Sequence, residues 1–311
     1  MPSSEVKKIF TSVSVIIPAY NAAVTIGRAL QSVAQQNLLP VEVIVVDDGS
    51  TDGTIETTKK YAEELSPCRL TVISQPNRGA GAARNLAISK ATEDYLAFLD
   101  ADDEWLPDKL RLCMAEVDRA KCDFICHNVI YVTVDRKQVL LDSYTTYSRY
   151  TNPYLAGYLH GFISTPTVVV SRDRVLQAGG FDPTLKSGQD YELWLALFAL
   201  EGMTVRILPE ALALYHETPS GITKQIAMRT QFARRIASDH AHELARFSSH
   251  PFKLFVLRAM IIEYQVISGY WNASSYTRAI ASGVLAPFRV VQTLISANST
   301  QPRGRFLRLP K

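Results

Sequence analysis

The chain has little cysteine and no long hydrophobic run. Four cysteines in 311 residues are too few for the disulfide framework of a small secreted domain. No apolar run reaches the length of a membrane span, because Arg258, Glu263 and Arg289 interrupt the candidates. The N-terminal residues also lack the basic flank, apolar stretch and small-residue cleavage site of a secretory leader. We therefore expect reduced thiols and a cytosolic chain.

The sequence offers no convincing zinc site. Cys122, Cys126 and His127 are neighbours, but CDFICHNVIY has the pattern of a half-buried strand and lacks a second pair of ligands. These side chains are therefore expected in the core.

Charge is unevenly distributed along the chain. The net charge is +3, but nine basic residues from position 245 onward face a single acid, Glu263. That tail carries +8, which leaves −5 on the first 244 residues. A basic, apolar-rich tail favours an anionic partner such as a membrane surface. Packing of these helices on the rest of the chain or on a partner subunit is the alternative, and no pattern indicates nucleic acid.

Apolar runs alternate with amphipathic segments over the first hundred residues. The runs predict strands, at 13–18, 41–48, 70–74 and 94–100, and the segments between them predict helices, at 23–35, 53–65 and 80–90. This pattern indicates an α/β fold with a mostly parallel sheet and helices on both faces. Further elements are expected in the second half, with helices at 107–120 and 188–202, strands at 123–134, 138–142 and 165–171, strand-like MTVRILP and ALALYH, and a largely helical region at 224–298.

Polar residues follow each predicted strand. The strand ends read PAYN (18–21), DDGS (47–50), QPNR (75–78) and DADD (100–103). Since parallel strands present their carboxyl ends at one edge, these groups should converge there.

Three carboxylates are crowded into LDADDEW, namely Asp100, Asp102 and Asp103. Neighbouring carboxylates repel one another unless a cation lies between them. Magnesium and manganese are commonly held at nucleotides by one or two carboxylates, with phosphate oxygens and water completing the shell. The Asp-Ala-Asp triplet therefore indicates a metal-diphosphate site, with capping of the helix near Pro107 as the alternative.

Two other nucleotide folds fit less well. GAGAAR (79–84) resembles the dinucleotide-binding GxGxxG pattern, but Arg84 replaces its third glycine and the turn follows the third strand. Asp47-Asp48 after a strand is similar to a phospho-acceptor receiver, which would leave most of the chain unexplained.

Six segments together resemble the family 2 inverting glycosyltransferases, whose catalytic domain has the GT-A fold. They are, in order, VSVIIPAYN, VEVIVVDDGSTDGT, NRGAGAARNLAI, YLAFLDADDEW, GGFDPTL and QDYELWLAL. The resemblance covers about residues 12–223. It implies a catalytic domain over 1–223, with a donor half at about 12–105 and an acceptor half at about 106–223, followed by a helical basic extension over 224–311.

The resemblance also implies roles for individual residues in binding a nucleotide-sugar donor, with a UDP-sugar as the first expectation. The implied donor-binding residues are Pro18, Ala19, Tyr20, Asp48, Arg84, Asp100, Ala101 and Asp102. Asp48 would accept a hydrogen bond from the base, and Arg84 would face the nucleotide or phosphate, with a surface salt bridge as its alternative.

A divalent metal, Mg²⁺ or Mn²⁺, is implied at Asp102, with Asp103 as an outer candidate. His216 would bind metal or diphosphate, although YHETPSGIT departs from the family pattern and a structural histidine is the alternative. The metal would neutralise the charge growing on the diphosphate leaving group.

Inversion requires a base opposite the leaving group, and the resemblance assigns that role to Asp190. A helix cap is its structural alternative. Trp105, Gly180, Phe181 and Gln189 are implied on the acceptor side, with Trp105 as a candidate to stack on a sugar. The acceptor-side loop would be shaped by Arg172, Gly179, Gly180, Phe181 and Asp182. Trp194 lies in an apolar helical stripe and is expected in the core.

The function implied is transfer of a sugar to a hydroxyl of a glycan or lipid-linked acceptor, by an enzyme that is cytoplasmic or peripheral on the inner face of the cell membrane. Two other classes remain open. A sugar-nucleotide nucleotidyltransferase would need a Gly-rich basic loop after the first strand, which PAYNAAVTIG does not provide. A noncatalytic nucleotide-sugar-binding protein of the same fold would be favoured if Asp102 or Asp190 were absent, and both are present.

Overall fold

A nine-stranded sheet runs through the part of the chain that the structure, a computed structural model, describes: residues 12–161, 163–218 and 225–299. The strands are β1 (Val13–Ala19), β2 (Glu42–Asp47), β3 (Arg69–Ser74), β4 (Tyr95–Phe98), β5 (Glu104–Trp105), β6 (Phe124–Val132), β7 (Gln138–Leu141), β8 (Val169–Ser171) and β9 (Val205–His216).

The sheet has a parallel half and a mixed half. Strands β3, β2, β1 and β4 lie side by side in that order and are parallel, as the alternating pattern predicts. Next come β8, β6, β9 and β5, of which β8 is antiparallel to both β4 and β6, and β9 is parallel to β6. Strand β7 pairs with β6 beside this path. The predicted α/β fold is confirmed, and its second half is less parallel than the first.

The helices that the structure describes follow the predicted positions closely in the first half. They are α1 (Ile26–Ala34), α2 (Thr54–Lys60), α3 (Ala80–Lys90), α4 (Lys109–Ala120), α5 (Ser143–Ser148), α6 (Pro153–His160), α7 (Arg172–Ala178), α8 (Gln189–Phe198), α9 (Ile226–Asp239), α10 (Leu244–Phe247), α11 (Pro251–Asn272) and α12 (Tyr276–Ser299).

Both faces of the parallel half are buried. Along β1, Val15 and Ile17 pack into one hydrophobic cluster, while Ile16 packs into the other on the opposite face. All three side chains are fully buried. This explains why the strand is an unbroken apolar run, since alternate residues point to opposite faces and each face is covered by helices.

Three predicted strands differ from the structure. The predicted strand 165–171 is a 3₁₀ turn over Thr165–Thr167 followed by the short β8. Pro166 has no N–H to give to a strand ladder, which accounts for the turn. MTVRILP and ALALYH form one long strand, β9, whose pairing with β6 shifts register on either side of Asn128.

The C-terminal helices pack on helices α6 and α8. Ile236, Leu244, Phe255 and Ile262 belong to the same buried cluster as Trp194. Residues 226–272 are therefore packed on the rest of the chain. Residues 300–311 of the predicted extension lie outside the described residues.

None of the helices in the described part of the chain combines the length and the apolar character that crossing a membrane requires.

Candidate active site

A cavity of about 870 Å³ opens at the carboxyl edge of the parallel strands. All eight predicted donor-side residues line it, namely Pro18, Ala19, Tyr20, Asp48, Arg84, Asp100, Ala101 and Asp102. Asp190 and Gln189, from the start of α8, line the same cavity. The structure thus brings the predicted donor residues and the predicted base to one space, although more than eighty positions separate Asp102 from Asp190.

Two aspartates, Asp47 at the end of β2 and Asp48 directly after it, hold the loops of the strand edge in place. Asp48 accepts hydrogen bonds from the backbone N–H groups of Arg78 (2.9 Å) and Gly79 (2.7 Å) and from the side chain of Gln75 (2.7 Å). Asp47 accepts from the Ser50 N–H at 3.2 Å. Asp48 therefore faces the cavity with a carboxylate that is fixed before any ligand arrives.

Arg84 and Asp100 form a partly buried ion pair at the cavity wall. Arg84 is 5% exposed, so the pair is not the surface salt bridge that the sequence left open. Arg28, from α1, donates to the backbone carbonyl of Asp102. Two guanidinium groups from distant positions therefore approach the acidic segment, and this offsets part of its negative charge.

The remaining acidic charge is poorly compensated. Burial and the neighbouring Asp100 raise the pKa of Asp102 to about 6. Burial, Asp102 and Asp100 raise the pKa of Asp103 well above its ordinary value, even though its Oδ1 accepts from the His216 N–H at 2.9 Å. Asp103 Oδ2 is buried without a hydrogen-bond partner.

These carboxylates suit a divalent cation. The pKa of Asp102 is raised because its ionised form is destabilised by burial and by Asp100, and a cation would relieve both effects. Among the described residues there is no group of three or more His, Cys, Asp or Glu side chains that could hold a metal alone. The donor set fits magnesium or manganese, which take much of their shell from phosphate and water.

His216 lies beside Asp103 but is not one of the residues that line the cavity. Its Nε2 is 3.4 Å from Glu104 Oε2, and burial followed by the charge of Arg28 lowers its pKa. Glu104 is thus the side chain that His216 Nε2 contacts. Metal binding by His216 remains a prediction.

Asp190 is held in the first turn of α8. Gly188 precedes this helix with φ of 74°, a left-handed conformation that favours glycine. Asp190 Oδ2 accepts from Thr165 Oγ1 at 3.0 Å, and Oδ1 accepts from the Tyr191 N–H at 2.8 Å. Asp190 is thus not the residue that caps the helix, and a hydroxyl from another element fixes its side chain.

Three predicted acceptor-side residues lie away from the cavity, which corrects that part of the prediction. Trp105 is 2% exposed, and its Nε1 donates to the Pro166 carbonyl at 2.8 Å. Phe181 is fully buried between Phe98 and Trp194. Gly180 is buried against α3, where a Cβ would lie 2.7 Å from Asn85 Oδ1. Their neighbours on the sheet and α3 bury them, a long-range effect that the local sequence does not show.

Several cavity residues were not anticipated from the sequence. Thr165 lies in the 3₁₀ turn, and Arg229 and Arg258 come from the C-terminal helices α9 and α11. The only sequence signal for Arg258 was its place in the basic tail, which does not distinguish a cavity wall from a solvated surface, and Arg229 lies before that tail.

Comparison with known sequences identifies the family of this chain. A profile of "Glycosyl transferase family 2" matches residues 14–177. The amylovoran biosynthesis glycosyltransferase AmsB of Erwinia amylovora is 30% identical over 80% of this chain and 77% of its own length. The putative teichuronic acid biosynthesis glycosyltransferase TuaG of Bacillus subtilis is 32% identical over 72% of this chain and 87% of its own.

Solved structures share the fold. S. aureus TarS 1–349 in complex with UDP-GlcNAc superposes with a TM-score of 0.62 at 20% identity, covering 96% of this chain and 93% of that one. The mannosyltransferase PcManGT from Pyrobaculum calidifontis, in complex with GDP-Man and Mn²⁺, gives 0.62 at 19% identity, over 92% and 79%. The chain spans 54% of the longer S. aureus TarS chain. With a family match over half of its length and the GT-A-like fold, the chain belongs to glycosyl transferase family 2 and is a glycosyltransferase.

Proposed function

We propose that the enzyme transfers a sugar from a nucleotide-diphosphate donor, in the first place a UDP-sugar, to an acceptor hydroxyl with inversion at the anomeric carbon. The observation that carries the proposal is the single cavity lined by Asp100, Asp102 and Asp190. The solved neighbours with UDP-GlcNAc and with GDP-Man and Mn²⁺ support a nucleotide-sugar donor. The names of AmsB and TuaG support a glycan product of a polysaccharide pathway.

In this mechanism the strand-edge residues bind the donor. Asp48, Arg84 and Asp100 hold the nucleotide and ribose, and Asp102 would hold a divalent cation beside the diphosphate. When bound, that cation supplies charge neutralisation for the leaving group. Arg84 adds a fixed positive charge at the same edge, which favours the anionic donor.

Asp190 removes the proton from the attacking acceptor hydroxyl. Its two contacts, from Thr165 Oγ1 and from the Tyr191 N–H, hold the carboxylate in one orientation. A base fixed in this way can stand on the acceptor face of the sugar while the diphosphate leaves from the opposite face.

The base and metal roles are tested separately. Asp190→Asn should keep donor-induced thermal stabilisation and lose at least about a hundredfold in transfer rate, since general-base catalysis contributes about 10²–10⁴. Asp102→Asn should lose the extra stabilisation that Mn²⁺ gives to the UDP-bound protein. Asp108→Asn, an exposed carboxylate outside the cavity, is the control for both. Unchanged turnover in Asp190→Asn, or an unchanged Mn²⁺ effect in Asp102→Asn, would remove that role.

We further propose that the hairpin of α11 and α12 docks on an anionic bilayer, which would place the enzyme at the inner face of the cell membrane. Large apolar side chains on its outer face are exposed, including Phe252, Met260, Tyr264, Trp271, Tyr276, Ile280, Val284, Phe288, Val291 and Ile295. On α12 these residues recur every three or four positions, so they form one stripe. Such a stripe is typical of an interfacial helix.

Charge favours a membrane over a second protein as the occupant of this face. Lys253 and Arg278 are exposed on the hairpin, and its one acid, Glu263, is buried and paired with Arg234 and Arg289. Residues 300–311 add four basic residues and no acid in sequence. Basic residues near the surface each contribute about 1 kcal/mol to binding an anionic leaflet.

Vesicle sedimentation of the full chain tests this docking. The protein should pellet with vesicles containing phosphatidylglycerol and much less with phosphatidylcholine alone. Ile280→Ser combined with Phe288→Ser should weaken pelleting several-fold, whereas Val134→Ser, at an exposed apolar position on the body, should not. Equal pelleting of all variants would show that this apolar stripe does not dock on the vesicles. A concentration-dependent dimer that the double variant abolishes would show that a second copy of the chain covers the stripe instead.

A further inference from the structure

The C-terminal helices supply one wall of the active-site cavity. Arg229 of α9 and Arg258, Ile262 and Gln265 of α11 all line it. The family profile ends at residue 177, so this wall is built by a part of the chain outside the matched segment. Two of these four residues are arginines, which gives the wall a positive character.

Arg258 is the most unusual residue of this wall. It is 3% exposed, and its Nη1 donates to the Leu159 carbonyl at 2.9 Å. Its guanidinium carbon lies 5.3 Å from the centre of the Tyr191 ring. The Nε is buried without a hydrogen-bond partner. None of the ion pairs among residues 12–161, 163–218 and 225–299 involves Arg258, so no described carboxylate neutralises it.

Two other arginines, the buried Arg84 and the half-buried Arg234, each pair with a carboxylate. Arg84 binds Asp100, and Arg234 binds Glu263, the acid that lies five positions after Arg258 on α11. Arg289 also approaches Glu263, at 3.7 Å. The carboxylate nearest to Arg258 in sequence is thus engaged by two other guanidinium groups.

Burial of an unpaired charge is unfavourable, and arginine does not relieve it by losing its proton. The contacts of Arg258 offset part of this penalty. Leu159 lies in the last turn of α6, whose carbonyls carry partial negative charge, and the face of Tyr191 attracts a cation. A helix-capping role alone would use these contacts, but it would not require a guanidinium that also borders the cavity.

The position of Arg258 relates it to the acceptor rather than to the donor. Its contacts are Leu159 and Tyr191, and a Cβ on Gly161 would lie 3.1 Å from its Nη2. Tyr191 directly follows Asp190 on α8. None of these contacts belongs to the strand edge that holds Asp48, Arg84 and Asp102.

We propose that Arg258 binds a phosphoryl group of the acceptor and so orients the acceptor hydroxyl toward Asp190. A guanidinium with a free Nε edge matches the oxyanion geometry of a phosphate. A second arginine on the same wall, Arg229, suits a multiply charged phosphoryl group better than a single carboxylate. This inference rests on the proposed role of Asp190, and it makes the acceptor a phosphorylated molecule, either lipid-linked or soluble.

The test uses the full chain saturated with UDP and Mg²⁺, so that the donor site is filled. Calorimetric titration with inorganic phosphate and with n-hexyl phosphate then reports on the remaining anion site. Both probes should bind the wild-type protein. Arg258→Met should bind them at least about tenfold more weakly, as expected for loss of a charge-assisted contact, and Arg258→Lys should fall between. Tighter binding of n-hexyl phosphate than of phosphate would identify a lipid-linked acceptor, and equal binding a soluble one.

Controls separate the possible failures. Arg246→Met, an exposed arginine of the same helical region outside the cavity, should bind both probes as the wild type does. The UDP affinity should be unchanged in every variant. Arg258→Lys retains the buried charge. If Arg258→Met does not fold, the comparison with the wild type uses Arg258→Lys. The phosphoryl subsite would be overturned if the folded variants bind phosphate as well as the wild type does, or if the wild type binds no phosphate once UDP is present. Absence of UDP binding in the wild type would overturn the donor site instead.

Discussion

At the scale of single residues, the bond from Thr165 to Asp190 makes a clear prediction. Thr165 Oγ1 donates to Asp190 Oδ2 at 3.0 Å, and Thr165 is 4% exposed. Thr165→Val keeps the shape of the side chain and removes the hydroxyl, so the carboxylate loses a partner that fixes its orientation. A hydrogen bond to a charged group contributes about 1.5–3 kcal/mol, so kcat should fall about tenfold or more, while the KM for the donor stays constant.

Thr165→Ser is the matched control, because it keeps the hydroxyl and removes only the methyl group. It should restore most of kcat. A Thr165→Val enzyme with normal kcat, or one whose donor KM rises in parallel with the loss, would show that the threonine does not position the base.

The acidic segment LDADDEW, residues 99–105, could be predicted only in part from the sequence. LDADDEW follows a strand, as predicted, and Asp100 and Asp102 both line the cavity. The sequence could not show that Arg84 and Arg28 approach the segment, because both lie on other elements, α3 and α1, and their approach depends on how these helices pack. It also could not separate Asp102, which lines the cavity, from its fully buried neighbour Asp103. That difference depends on the turn the chain makes after β4.

At the scale of secondary-structure elements, α4 begins with a buried lysine that should make stability depend on pH. Lys109 is fully buried, its Nζ has no hydrogen-bond partner, and the Trp105 ring centre is 3.7 Å away. Burial lowers the pKa of Lys109 to about 7 from 10.5. The unfolded chain therefore holds a proton between about pH 7 and pH 10.5 that the folded chain has released. Stability from this group thus rises with pH across that window.

Urea unfolding at a series of pH values measures the effect. Between pH 7 and pH 9 the free energy of unfolding should rise by about 2 kcal/mol more in the wild type than in Lys109→Met, which cannot release a proton. Lys90→Met, an exposed lysine at the end of α3, should behave as the wild type does. Parallel pH curves for the wild type and Lys109→Met would contradict the assignment.

Elements with strong local signals were predicted well. Strands β1 and β2 are fully buried apolar runs, and the prediction places each within one or two residues of its observed bounds. The acceptor half was harder, because β8 has three residues and pairs with β4 of the donor half on one side and with β6 on the other. Such pairing depends on long-range packing, which no local pattern in the sequence encodes.

At the scale of the whole molecule, the predicted boundary near residue 223 does not coincide with a gap in packing. Tyr154 donates to the His240 carbonyl at 2.8 Å, and Tyr158 donates to the Ala237 carbonyl at 2.8 Å. Ile236 is 1% exposed and belongs to the cluster that contains Phe98. The basic and apolar composition of the C-terminal region is visible in the sequence. Its packing against the body could not be predicted, because composition does not tell which face of a helix is buried.

This shared core predicts that residues 1–223 do not form a stable protein alone. Truncation after residue 223 removes the carbonyl partners of Tyr154 and Tyr158 and uncovers apolar surface, and each Å² of that surface exposed costs about 25 cal/mol. We expect the full chain to unfold in one calorimetric transition, and the truncated chain to melt at least about 10 °C lower or to aggregate. Tyr158→Phe in the full chain should lose about 1 kcal/mol, while Tyr144→Phe, at an exposed tyrosine, should lose almost nothing. A truncated chain that melts like the full one would instead establish residue 223 as a true domain boundary.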